Sequence, residues 1–148
     1  MKRTLLILLA AFFVSTCTKI RLNGDHFIFG LSFSQCEADC ARFFLIKKNS
    51  LYADEMENGS DKLKFKYNAL SDEKFKMAEQ LRAGLPAVLK NSASATFGCP
   101  DCRDQGSFYI ELKENSKMRI FKIDTDTSQV PAEMRPFLLE LKRLISEL

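Results

Sequence analysis

Tryptophan is absent and histidine occurs once, at position 26, in this chain of 148 residues. A lone His beside an apolar strand is more often structural than a ligand or base, and it leaves no Ser-His-Asp or Cys-His arrangement to assemble. Only an enzyme that works without His stays open. Charge of one sign is lacking as well. The formal charge of +3 includes Lys2 and Arg3; without them the chain is close to neutral. Basic and acidic residues interleave (Lys74, Glu79, Arg82; Glu140, Lys142, Arg143, Glu147) as they do on solvated helix faces. Nothing in that pattern attracts nucleic acid. No apolar run approaches the roughly 20 residues that a membrane-spanning helix needs. The thirteen Phe stand mostly at alternating or helical spacings, so they read as core and not as a base-stacking platform.

What is present begins at the N-terminus. Lys2-Arg3 precede an uncharged run over residues 5–14 and then Ser15-Thr16-Cys17. A basic end, a short apolar core and a small-residue stretch form a signal peptide; a retained anchor is the weaker reading. Ordinary signal peptidase would meet Phe13 or Thr16 where it wants small residues, whereas cleavage just before Cys17 fits better. Val14-Ser15-Thr16-Cys17 resembles the lipobox of bacterial lipoproteins, in which the Cys becomes lipidated and N-terminal. Thr16 departs from that pattern, since Gly, Ala or Ser is usual there, and a soluble secreted chain is the alternative. Five cysteines are awkward in an oxidising compartment, while setting Cys17 aside leaves an even four. Several acyl chains, at roughly 0.8 kcal/mol per buried methylene, would hold a protein on a membrane where one chain is marginal. Thr18-Lys19-Ile20-Arg21 lack the acidic run that resembles a surface-export signal in such lipoproteins, which favours a periplasm-facing location. The chain then divides into a signal peptide (1–16), a tether (17–25) and one domain (26–148), large enough to bury a core unaided.

In the body of the chain, Phe27-Ile28-Phe29-Gly30, residues 42–47 and Leu51-Tyr52-Ala53-Asp54 predict an antiparallel meander. Leu63, Phe65 and Tyr67 alternate with Lys62, Lys64 and Lys66, predicting a half-exposed or edge strand. Ser71-Asp72-Glu73 open a helix carrying Phe75, Ala78, Leu81 and Leu85. Gly84-Leu85-Pro86 end or kink it, with a short second helix running through Leu89. Residues 108–113 and 118–123 flank Glu114-Asn115-Ser116-Lys117 as a hairpin. Asp124-Thr125-Asp126-Thr127-Ser128 is a polar turn; a calcium loop would need Gly and Glu where Gln129 and Arg135 stand. Pro131 and Pro136 bracket the entry to a last helix with an apolar stripe of Phe137, Leu138, Leu141, Leu144, Ile145 and Leu148, which predicts core packing more than a partner interface. The expected fold is α+β, an antiparallel sheet of about five or six strands with two main helices packed on one face.

The most specific stretch is Phe97-Gly98-Cys99-Pro100-Asp101-Cys102-Arg103-Asp104-Gln105-Gly106. Together with Phe27-x-Phe29-Gly30, Cys36-x-x-x-Cys40, Leu51-Tyr52-Ala53-Asp54 and Ile123-Asp124-Thr125-Asp126, it resembles a family of small, functionally uncharacterised lipoproteins of Bacteroidetes-type bacteria. The resemblance spans nearly the whole chain after the signal and implies no activity.

The four thiols have three readings. Cys99-Pro100-Asp101-Cys102 resembles the Cys-x-x-Cys of disulfide oxidoreductases, but there the first Cys opens a helix that lowers its pKa, whereas Asp101 and Asp104 would raise it here. Cys36, Cys40, Cys99 and Cys102 have spacings compatible with tetrahedral zinc, although exported thiols tend to oxidise before they find metal. The favoured reading is two structural disulfides with no cofactor. Pairing Cys36 with Cys40 and Cys99 with Cys102 closes small loops worth about 2 kcal/mol each, against about 4 for a bridge across the chain. Thermodynamics favours the long links and sequence proximity the local ones; the local pairs are preferred. The function expected is a non-enzymatic binding or envelope-associated module, held on the membrane by a lipid at Cys17, with an unidentified protein or small-molecule partner. A zinc-binding or thiol-redox protein is the rival.

Overall fold

A computed structural model describes residues 20–33, 40–55 and 63–148. The expected signal peptide, Cys17, Cys36, Lys62 and most of the polar loop after Asp54 lie outside the described residues. The elements are β1 (His26–Ser32), β2 (Ala41–Lys47), β3 (Ser50–Ala53), α1 (Asp72–Ala83), α2 (Ala87–Asn91), β4 (Ala95–Phe97), β5 (Ser107–Glu114), β6 (Lys117–Asp124) and α3 (Arg135–Glu147). Single 3-10 turns occupy Thr127–Gln129 and Ala132–Met134. The class is α+β, with one six-stranded sheet in the order β3-β2-β1-β5-β6-β4.

Alternation along the central strands divides their side chains between two apolar clusters. Phe27 and Phe29 of β1, Phe108, Ile110 and Leu112 of β5, and Phe121 and Ile123 of β6 share the larger cluster with Ala78 and Leu81 of α1, Leu89 of α2 and the stripe of α3. Ile28 and Leu45 enter a smaller cluster with Phe65, joined by Ile20, Leu22, Leu63 and Tyr109. Two covered faces explain why β1 carries Phe27-Ile28-Phe29 without a polar interruption.

Local signals set the element ends. The Ser71 hydroxyl accepts the Lys74 amide at 3.4 Å and caps α1, and Pro136 sits in the first turn of α3, where its missing N–H costs nothing. The last carbonyls of α3 meet cations: Lys74 Nζ reaches Leu148 O at 2.6 Å and an Arg42 guanidinium nitrogen reaches Ile145 O at 3.3 Å, favourable against the helix dipole. In the β5–β6 hairpin Glu114 pairs with Lys117, and Asn115 and Ser116 take φ of 50° and 64°, as a two-residue primed turn requires.

Two elements depart from the sequence expectation. The strand expected over residues 62–67 contributes one antiparallel bridge, Phe65 to Asp54. The Glu55 and Lys66 amides add flanking bonds, at 2.7 and 2.8 Å. Phe65 is 4% exposed and Tyr67 67%, so the segment lodges one ring under the sheet and does not extend it. The sixth strand is instead β4, which runs parallel to β6 through Ala95–Phe121, Thr96–Lys122 and Phe97–Ile123. The sheet is therefore mixed. Three residues of Ala-Thr-Phe carry no alternation signal, and their pairing is decided by β6.

Asp54 closes this corner. It is 7% exposed, and burial pushes its carboxyl up to about 6, against the amide of Phe43 and the charges of Lys66 and Arg42, which pull it down. A carboxyl raised on folding binds more protons in the native than in the unfolded chain, so stability falls as pH rises from about 4 to about 6. Asp54→Asn should remove that fall, leaving the variant more stable than its parent at neutral pH by on the order of 2 kcal/mol. Urea titrations at pH 4 and pH 7 on both proteins check this; an unchanged pH dependence would contradict it.

Candidate functional site

The thiol loop, residues 98–106, connects β4 to β5. Cys99 and Cys102 are joined by a disulfide, with Cα atoms 5.6 Å apart. Both cysteines are exposed, and residues 100–103 form a turn and not a helix. No helix N-terminus is present at the pair to favour a thiolate, the device that activates redox Cys-x-x-Cys sites. A four-thiolate zinc site using Cys36, Cys40, Cys99 and Cys102 would require this bond to be opened, because a disulfide sulfur is not a thiolate donor.

What holds the loop lies beneath it. Asp124, the last residue of β6, is 1% exposed. Its Oδ2 accepts the Cys99 amide at 2.9 Å, while its Oδ1 accepts Gln105 Nε2 at 3.1 Å and the Asp126 amide at 2.8 Å. Gln105 continues the lattice. Its Nε2 also donates to Cys99 O at 3.0 Å and its Oε1 accepts the Arg103 amide at 2.7 Å. Asp101 Oδ1 accepts the Gly106 amide at 3.0 Å, and the Thr125 hydroxyl donates to Gln105 O at 2.8 Å. Burial pushes the Asp124 carboxyl up. The Gln105 side chain, the Asp126 and Cys99 amides and the Arg103 charge outweigh that and hold it below the usual carboxylate range.

The two flanking glycines are demanded by this packing. Gly98 has φ of 72°, and a Cβ there would fall 2.6 Å from Asp124 Cβ. Gly106 has φ of 83°, and a Cβ would fall 2.5 Å from the Phe33 ring. The Phe33 contact brings Cys40 near the loop. Cys40 is disulfide-bonded, and its carbonyl accepts the Phe33 amide at 2.8 Å. Phe33 and Cys40 thus stand with the Cys99–Cys102 loop at the end of the sheet where Ser32 pairs with Ser107. A cavity of about 230 Å³ opens beside the Cys99–Cys102 bond, lined by Arg103, Gln105, Asp124, Asp126 and Gln129.

His26 belongs to a second polar cluster, buried in the sheet. Its Nε2 lies 2.7 Å from Glu111 Oε1 and its Nδ1 3.0 Å from Gly24 O. A carbonyl only accepts, so Nδ1 is the donor to Gly24 O. The Tyr109 hydroxyl donates to Glu111 Oε2 at 2.6 Å. Burial, that hydrogen bond and the Glu111 charge raise the Tyr109 pKa, which keeps the phenol protonated. Both ring nitrogens and both carboxylate oxygens are engaged within the cluster, the arrangement of a structural histidine. Sequence reasoning missed Glu111 and Tyr109. The unbroken apolar run of β1 was the available signal, because a strand covered on both faces obliges a mid-strand Glu in its neighbour to find a partner.

Among the described residues, no group of three or more His, Cys, Asp or Glu is placed to hold a metal ion, and no helix is long and apolar enough to cross a membrane. No protein-family model matches the chain, and no curated protein or solved structure is significantly similar to it.

Cys99→Ser with Cys102→Ser should lower stability by about 2 kcal/mol and leave the circular dichroism spectrum largely unchanged. Asp124→Asn sets an amide NH₂ against backbone or side-chain donors and should cost roughly 1–3 kcal/mol. Since a depressed carboxyl stabilises the fold above its unfolded value of about 3.8 and loses that effect as pH falls, the deficit of Asp124→Asn should shrink in acid. Chemical denaturation at neutral and acid pH tests both. A deficit that does not change with pH would mean that the charge of Asp124 is not what the loop needs.

Proposed function

We propose that the protein is an exported lipoprotein, anchored through Cys17 on the periplasmic face of a bacterial membrane, that acts by binding and not by catalysis. Membership of the small lipoprotein family that the Gly98-Cys99-Pro100-Asp101-Cys102 string resembles is part of the same proposal. The observation that carries it is the N-terminal sequence; the exposed Cys99–Cys102 disulfide is compatible with an oxidising compartment. The basic and apolar leader and the lipobox-like Val14-Ser15-Thr16-Cys17 supply the anchor. The reading includes the membrane as one partner, an unidentified protein or small molecule as the other, no nucleic acid and no cofactor.

A second reading, thiol redox chemistry at Cys99 and Cys102, is favoured by one observation: both cysteines are exposed beside a cavity. A zinc-binding protein would use the same pair in its reduced form. Thiol titration and zinc analysis of native protein separate these readings from the first, which expects inert, oxidised cysteines.

Globomycin, which blocks the lipoprotein signal peptidase, should cause a larger precursor to accumulate. Cys17→Ser should release the chain from the membrane fraction or leave it unprocessed. Unchanged size and fractionation in both experiments would overturn the lipoprotein reading.

A further inference from the structure

The end of the sheet opposite the Cys99–Cys102 loop is basic and concave. The start of β1, the β2–β3 turn, the β5–β6 turn and the last part of α1 enclose a cavity of about 700 Å³. Lys47, Lys48, Arg82 and Lys113 line it, against Asp25 and Glu114. Both carboxylates are engaged, Asp25 accepting the Asn115 amide at 3.0 Å and Glu114 holding Arg119 at 2.9 Å. Arg82 pairs with Glu79 at 3.3 Å. The lysines have less to answer them. Lys47 donates to Asn23 Oδ1 at 3.3 Å and to the Arg21 carbonyl, both uncharged acceptors. Burial, then the charges of Lys48 and Lys113, lower its pKa, as expected where cations converge without a counter-charge.

A concave surface with excess positive charge concentrates anions, and lysine ammonium groups suit phosphate. The position of the tether says which phosphate. The bonds from Lys47 to Arg21 and Asn23 pin the N-terminal segment to the rim, so the chain leaves the domain beside the groove. Asn23 follows Cys17 by six positions, a reach of at most roughly 20 Å. A lipid at Cys17 would hold this end close to the bilayer, where anionic headgroups attract basic side chains.

We propose that the groove formed by Lys47, Lys48 and Lys113 binds the phosphate of an anionic lipid headgroup in the membrane that carries the anchor. It rests on the lipoprotein reading for its place at the membrane, but not for its affinity. The test uses the full chain carrying Cys17→Ser, which has no acyl group, in sedimentation with vesicles rich in phosphatidylglycerol and with vesicles of phosphatidylcholine alone. Preference for the anionic vesicles, weakened by salt, is expected. Lys48→Gln with Lys113→Gln should reduce anionic-vesicle binding roughly thirtyfold, about fivefold per lysine, with an unchanged melting temperature showing that the variant is folded. Undiminished binding by that variant overturns the proposal. So does perturbation of the groove's NMR resonances by soluble glycerol phosphate without any preference between vesicles, which would assign the site to a free phosphate. A failed globomycin experiment with vesicle preference intact removes the anchor and leaves the groove; the converse removes the groove and leaves the anchor.

Discussion

The carboxylate of Asp124 is the constraint on which the thiol-loop end of the molecule depends. It ends β6, lies buried, and accepts hydrogen bonds from Cys99, Gln105 and Asp126. Two segments of chain, the thiol loop and the turn after β6, therefore share one charge. A buried carboxylate without donors would be costly, so the loop and the acid stabilise each other: the loop supplies amides that need an acceptor, and the acid supplies one that needs donors. The disulfide then restricts a backbone whose course is already set by these bonds. That order of dependence explains why Gly98 has no room for a side chain, since its α-carbon lies against the acid itself.

Asp54 is the useful contrast. Both acids are buried at the ends of strands, yet folding shifts them in opposite directions. Asp124 meets two amides, a carboxamide and a nearby Arg103 charge. At Asp54 burial outweighs what the Phe43 amide and two cations return. The number and aim of donors, and not burial as such, decide whether a carboxylate supports a fold at neutral pH.

The sheet also separates two chemistries. The disulfide, its cavity and Asp124 lie where β1 ends and β5 begins, while the lysine groove and the incoming N-terminal segment lie where β1 begins and β5 ends. A strand of seven residues such as β1 sets these ends roughly 20 Å or more apart.

Periodicity is a local property, and what followed from it was readable in the chain: the class, the β1–β2–β3 meander, the β5–β6 hairpin, the break at Pro86 and the stripe of α3. Turn chemistry was equally local, which is why residues 98–106 stood out as a constrained loop before any partner was known. The tertiary structure decided whatever depended on distant residues. Ala95–Phe97 became a strand because β6 lies beside it, and the alternation around Phe65 was spent on one buried ring because β3 offers it a single bridge. Asp124 read as part of a polar turn, since the groups it holds lie 25 and 19 residues earlier. Glu111 found His26 across 85 residues. A hydrogen-bond acceptor is defined by what surrounds it in space, and spacing along the chain does not record that.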